Sequence, residues 1–183
     1  MITSNRDILD EKELLCACVK QDPRAQRTLY ELYSPKMLTV CMRYVGDRER
    51  ARDVLHDGFI TVFEKIDSYN GSGSFEGWMR RIFANTALMY LRKGDVLRFT
   101  DELSDVTKEF SVENSVMGNI SSKELMRLIA SMPDGFRAVF NMYAIEGYSH
   151  LEIAKELGIT EGSSRSQLSR ARQWLQDRLH DVR

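Results

Sequence analysis

The sequence predicts an all-α protein: two small helical domains joined by a flexible acidic linker, the C-terminal one a helix-turn-helix. Three observations predict it. The helical period is strong from about Glu11 to Lys93 and again from about Ser121 to Leu179. Strand signals are nearly absent, since no apolar/polar alternation is sustained and Asn70-Gly71 is flanked by helical patterns. Between the two periodic stretches, Gly94–Asn119 differs in kind: Asp95, Asp101, Glu102, Asp105, Glu109 and Glu113 face only Arg98 and Lys108, and its apolar residues hold no long stripe. The expected division is therefore 10–94, a linker at 95–120, and 121–183, with a transient helix around Val106–Val112 left open.

Composition narrows the class. The 183 residues are 43% hydrophobic, which is too apolar for a disordered chain, yet no run approaches the ~20 apolar residues a membrane span needs. The first residues carry no apolar segment behind a basic one, so a cytoplasmic protein without membrane insertion is expected. Cys16, Cys18 and Cys41 cannot all pair, and Cys16 and Cys18 point in different directions on one helix, so buried structural thiols are expected. With no Cys-x-x-Cys and three scattered histidines, neither a metal nor a cofactor is expected. The 26 basic and 27 acidic residues nearly cancel, which argues against nucleic acid only if the charges are evenly spread.

They are not. From Asp47 to Ile66, Ala51, Leu55, Phe59, Val62 and Ile66 fall on one helical face with Phe63 at its edge, which makes a core stripe. The opposite face carries Asp53, Asp57, Ile60 and Glu64, with His56 on the flank. A solvated face accounts for the carboxylates; a large aliphatic residue ringed by them resembles the centre of a binding patch. A catalytic carboxylate pair finds no His partner or metal motif in support.

The next segment, Asp67–Trp78, is a loop of small residues with aromatics at both ends. Its Gly-x-Gly lacks the preceding strand and the Gly-Lys-Ser/Thr ending of a phosphate cradle. A helix is expected from Trp78 to Lys93, with Trp78, Ile82 and Met89 roughly together and Arg81, Asn85 and Arg92 beside them. Cations that track phosphates, aromatics that stack on bases and an amide that reads an edge are the elements of single-strand binding. An amphipathic core helix with exposed arginines gives the same pattern, and Phe83 is core in either case.

The strongest local signal is C-terminal. Ser149 and Glu152 have capping-box spacing, Gly158 marks a tight turn, and Thr160 is an N-cap for a second helix. Ile153, Ala154 and Leu157 pack inward against Leu168, Ala171, Leu175 and Leu179, which is helix-turn-helix grammar. From Gly162 to Arg172 there are three arginines and no acid. Ser166, Arg170 and Gln173 face away from the core, with Arg165, Ser169 and Arg172 on one flank. Arginine binds a guanine edge or clamps phosphate, and Ser and Gln add shorter polar contacts. Ser164 projects to the buried side, where an apolar residue is expected, and Trp174 packs at the domain edge.

Three segments together resemble the bacterial RNA polymerase sigma factors of the extracytoplasmic-function group of the sigma-70 family. They are Ala51–Phe63, Phe75–Ala87, and the joined stretches Met132–Phe140, Ile145–Ser149 and Ser163–Arg172. The resemblance implies a sigma factor without catalytic activity, whose partners are core RNA polymerase, promoter DNA and an anti-sigma factor. It implies polymerase docking by Asp53, His56, Asp57, Ile60 and Glu64. It implies contact with the opened minus-ten element by Asn70, Ser72, Phe75, Trp78, Arg81, Asn85 and Arg92. It implies duplex reading of the minus-thirty-five element by Ser163, Arg165, Ser166, Ser169, Arg170 and Arg172, and a polymerase-flap contact around Phe136–Met142. Two residues depart from the family's pattern: Ser164 stands for a usual valine, and Gln167 stands where Arg or Lys is common, which removes an expected phosphate contact. A stand-alone helix-turn-helix regulator with a sensing or dimerisation domain is the alternative, and it predicts tight duplex binding by the isolated protein.

Overall fold

The computed structural model describes residues 11–93 and 121–181, so the acidic segment Gly94–Asn119 lies outside the described residues. The first region holds α1 (Glu11–Val19), α2 (Pro23–Val45), α3 (Arg48–Lys65) with a 3-10 turn at Ile66–Ser68, and α4 (Phe75–Lys93). The starts of α2, α3 and α4 each have a local cause. Asp22 Oδ1 accepts from Arg24 N at 2.9 Å with Pro23 in the first turn, and Asp47 Oδ1 accepts from Glu49 N and Arg50 N at 3.1 and 2.9 Å. α4 begins earlier than the Trp78 start expected from periodicity, because Ser74 caps it: its Oγ accepts from Gly77 N at 3.1 Å and its carbonyl from Trp78 N. Pro35 sits inside α2, where burial of Leu29, Tyr33, Met37 and Val40 on both sides of it outweighs the lost backbone bond.

Helices α2, α3 and α4 pack against one another around Phe59, Val62, Phe75, Met79 and Phe83. The predicted stripe of α3 is the buried one, from Ala51 to Ile66, with Phe63 half-buried at its edge. At the α3–α4 crossing the Phe83 ring packs directly against Gly58, where an added Cβ would stand 2.3 Å from it.

The second region holds α5 (Ser122–Ala130), α6 (Asp134–Phe140), a π-helical turn (Asn141–Ile145), α7 (His150–Leu157) and α8 (Glu161–Asp181). Ser121 with Glu124 and Ser149 with Glu152 form complete capping boxes, and Thr160 Oγ1 accepts from Ser163 N at 3.0 Å. Gly158 ends α7 at φ +69°, the left-handed conformation the turn needs. Ile153, Ala154, Leu157, Leu168, Ala171 and Leu175 are buried as predicted.

The two regions meet at a joint. The buried side chains of α2–α4 run on into Ala138, Val139, Met142, Ile153, Leu157 and Leu168, while Ile129, Met132, Ala171 and Leu175 form a separate small cluster. The joint is polar at its centre. Arg137 donates to Tyr44 O at 2.8 Å, to Ala130 O at 2.7 Å and to Met132 O at 2.9 Å, and pairs with Asp134. Asn141 Nδ2 donates to Arg43 O at 2.8 Å, and the Arg43 guanidinium pairs with Glu146 at 2.6 Å, both side chains 8% exposed. These bonds satisfy carbonyls at the end of α2, which helical geometry leaves open. Gly46 caps that end at φ +72°, and a Cβ there would lie 2.8 Å from Ala130 O and 2.9 Å from Arg137.

The thiols divide. Cys18 and Cys41 are buried, and burial pushes them up to about 11 and about 12, with Asp22 adding to the first. Cys16 is exposed, contrary to the expectation for it, because it falls on the solvent face of α1.

Two substitutions test the joint. Glu146→Ala leaves Arg43 buried without its carboxylate, a cost of about 3 kcal/mol that separation of the regions relieves. Gly46→Ala adds left-handed strain and a direct clash. Each is expected to raise the radius of gyration in small-angle X-ray scattering with helical circular dichroism unchanged; scattering curves matching the wild type would show that neither contact holds the regions together.

Candidate protein and nucleic-acid interface

Three surfaces carry the predicted residues. On α3, Asp53, His56, Asp57, Ile60 and Glu64 are all exposed, and Ile60 keeps 46% of its surface open to water. Their common direction follows from the buried stripe, which fixes the roll of α3 and leaves this face outward. Two or three carboxylates around one open aliphatic side chain suit a basic partner with a shallow apolar socket.

The second surface runs from the loop after α3 along α4. The loop is preformed: Asn70 Oδ1 accepts from Ser72 N at 2.9 Å, the Tyr69 hydroxyl donates to Gly73 O at 2.8 Å, and Gly71 and Gly73 both sit at φ +79°. Its base is an aromatic wall. Phe75 stacks on Trp78 at 5.4 Å, and Tyr69 meets the two rings at 5.2 and 5.6 Å. Phe75 is fully buried, so its expected role as a DNA contact is corrected: its ring, closed in by Tyr33, Tyr69 and Trp78, supports the loop from below. Trp78 is half-buried, while Asn70, Ser72, Arg81, Asn85 and Arg92 are exposed. Arg81, Asn85 and Met89 follow one another at helical spacing, and Met89 is 64% exposed, an apolar surface beside the cations. Tyr69 is the residue sequence reasoning missed; its place at the loop's first corner, next to Asn70, was the available signal.

The third surface is α8. Arg165 is exposed and pairs with Glu161 at 2.7 Å across open solvent, a weak contact that an anion displaces readily. Ser163, Ser166, Ser169, Arg170 and Arg172 are half-buried; the Ser166 hydroxyl donates to Ser163 O, and Arg172 lies 5.9 Å from the Tyr143 ring centre. Gln167 is buried at 6% exposure, so this position faces the core rather than a phosphate, and the missing phosphate contact expected there is no loss to this surface. Trp174 packs at the edge, with Arg178 3.7 Å over its ring.

The second surface faces the C-terminal region across a cleft. Arg81 and Asn85 line a cleft of about 260 Å³ whose other wall is Glu146, Gly147, Tyr148, Glu152 and Glu156, from the approach to α7 and α7 itself. The joint thus faces the cationic line of α4 with carboxylates. Among the described residues, no group of three or more His, Cys, Asp or Glu side chains is placed to hold a metal ion, and no helix is long and apolar enough to cross a membrane.

Comparison with known proteins places matches on these same surfaces. Residues 29–96 match the family model for sigma-70 region 2, and residues 122–175 match that for sigma-70 region 4, together well over half of the chain. The chain is 27% identical to the ECF RNA polymerase sigma-E factor of Haemophilus influenzae over 95% of its own length and 97% of the relative's. It is 25% identical to the ECF RNA polymerase sigma factor SigW of Bacillus subtilis, over 89% and 93% of the two chains. A solved structure of the sigma factor RpoE in complex with the anti-sigma factor NepR, from Bartonella quintana, shares the fold at a TM-score of 0.51 and 19% identity, covering 85% of this chain and 96% of that one.

The α3 and α4 surfaces depend on one close approach, and Gly58→Ala tests it. The added methyl drives into Phe83, and urea unfolding is expected to show a loss of about 1–3 kcal/mol. Phe83→Leu in the same chain should recover part of that loss by making room; no recovery would place the strain elsewhere.

Proposed function

The chain belongs to the sigma-70 family, in its extracytoplasmic-function group, and is a sigma factor that directs promoter-specific initiation; we propose that it works through the three surfaces above. Residues 10–94 form the unit that binds core polymerase and opens the promoter, 95–120 the linker, and 121–183 the unit that reads the upstream element.

Asp53, His56, Asp57, Ile60 and Glu64 dock on core RNA polymerase. The observation that carries this is Ile60, a large aliphatic residue held open to water inside a ring of carboxylates, on a helix whose roll is fixed by its buried face. Asn70, Ser72, Trp78, Arg81, Asn85 and Arg92 take the opened minus-ten strand. A base swung out of the duplex loses stacking worth a few kcal/mol, offset by the aromatic wall and by phosphate contacts to the arginines. Ser163, Arg165, Ser166, Ser169, Arg170 and Arg172 engage the minus-thirty-five duplex. The protein itself supplies no chemistry; its contribution is differential binding of the opened promoter.

The polar joint supports a further condition. With Glu146, Glu152 and Glu156 opposite Arg81 and Asn85, phosphates entering the cleft meet carboxylates, so the two units part before the melted strand is held. An anti-sigma factor that binds this chain has the same exposed surfaces available. The likeness to relatives whose places of action are bacterial transcription complexes supports a cytoplasmic location.

The direct test is transcription from genomic DNA by core polymerase with and without the protein. Transcripts starting at defined sites only in its presence are expected; no core binding, or tight palindromic duplex binding by the protein alone, favours the stand-alone regulator. Asp57→Arg is expected to abolish core binding, measured by co-migration with core, while melting like the wild type. Arg170→Ala is expected to weaken upstream-duplex binding by roughly tenfold, the size of one lost arginine contact, and to leave core binding unchanged.

A further inference from the structure

Ser164, the polar residue on the buried side of α8, is fully enclosed, and its hydroxyl lies 2.8 Å from His150 Nδ1. His150 is the first residue of α7, held there by the capping box of Ser149 and Glu152. Its ring stacks on Tyr143 of the π-helical turn at 4.6 Å and 23°, and Tyr143 in turn carries Arg172 over its face. His150 therefore links α7 and the π-helical turn to α8 at two points, directly at Ser164 near its start and through Tyr143 at Arg172 farther along.

The contact is directional where its surroundings are not. Leu168, Ala171 and Leu175 hold α8 by apolar packing, which tolerates small rolls and slides of a helix. A buried hydroxyl with one partner does not, because leaving it unpaired costs the full desolvation of the group. Burial, followed by the charges of Arg165 and Arg172, holds the imidazole below its ordinary 6.5 against the opposing pull of Glu161, so the ring is neutral at neutral pH; Nδ1 and the Ser164 hydroxyl share one hydrogen bond in either tautomer, since each group can donate or accept. The neighbours of Ser164 along the chain, Arg165 and Ser166, then take their outward directions from this bond.

We infer that His150 is a specificity-determining positioning residue: by bonding Ser164 and stacking on Tyr143 it sets the roll of α8, and so which base edges Arg165, Ser166, Ser169 and Arg172 reach. This rests on the reading of α8 as the reader of the upstream element. Relaxing the bond leaves the phosphate-seeking arginines in place but blurs their aim, so the loss falls on discrimination rather than on affinity for duplex in general.

The test is selection by the holoenzyme, full chain with core polymerase, from a pool of promoter duplexes randomised across the upstream element. Ser164→Ala removes the hydroxyl with little change in volume, and half-buried His150 regains water, so the fold is kept; His150→Phe keeps the stack on Tyr143 and removes the hydrogen-bond partner of Ser164. Melting curves and initiation from a fork template lacking the upstream element serve as controls expected to match the wild type for Ser164→Ala. The expected result is that both variants select a broader upstream consensus, with discrimination against the wrong base reduced about fivefold. His150→Asn, whose amide can donate or accept in place of Nδ1, is expected to select a narrower consensus than His150→Phe. Variants that select the wild-type consensus at wild-type strength overturn the positioning role alone. A wild-type holoenzyme that selects no consensus overturns instead the assignment of α8.

Discussion

Arg137 is the residue on which the arrangement of the molecule depends. Its guanidinium, 4% exposed, satisfies carbonyls from α2, from α5 and from the turn before α6, and it draws Asp134 in beside it. Burial lowers its affinity for its proton, and the carboxylate of Asp134 works against that. A cation so placed is stable only while every donor has an acceptor, and three of its acceptors belong to different parts of the chain. The position of α5 and α6 on the end of α2 follows from that requirement, and the Arg43–Glu146 pair and the Asn141 bond extend it along one side.

The joint connects the two halves of the function. The N-terminal region presents an acidic face on α3 and a cationic, aromatic face on α4, and the C-terminal region presents arginines on α8. In the closed arrangement the carboxylates before and on α7 lie across the cleft from Arg81 and Asn85. The near-neutral net charge of −1 is thus the sum of surfaces of opposite sign, some of which face each other within the molecule. A surface of such balanced charge exerts little long-range attraction on a duplex's phosphates.

Much of this was legible in the sequence because it is local. The caps at Ser149 and Thr160 are short-range hydrogen-bond patterns, and the buried stripes of α3 and α8 are periodicities. The outward direction of Asp53, Asp57 and Ile60 follows from the stripe behind them. Phe75 was misread as a contact because the loop's aromatics look alike in sequence; only the stacking of Tyr33, Tyr69 and Trp78 shows which ring is enclosed. Gln167 was read from the family's pattern as a lost phosphate contact, and only its burial in the folded chain shows that the position faces the core.

The sequence by itself determined the helices, their caps, the all-α class, the helix-turn-helix and the segregation of charge, since each is written in residues a few positions apart. The tertiary structure alone decided how the two regions meet. Arg43 and Glu146 are 103 positions apart, and Tyr44 and Arg137 are 93 apart. No periodicity relates such residues, and an arginine in a helix reads as a solvated charge until a distant backbone is seen to need its donors. The same holds for Ser164, whose place on a buried face was visible in the pattern, while the histidine that makes it tolerable there was not.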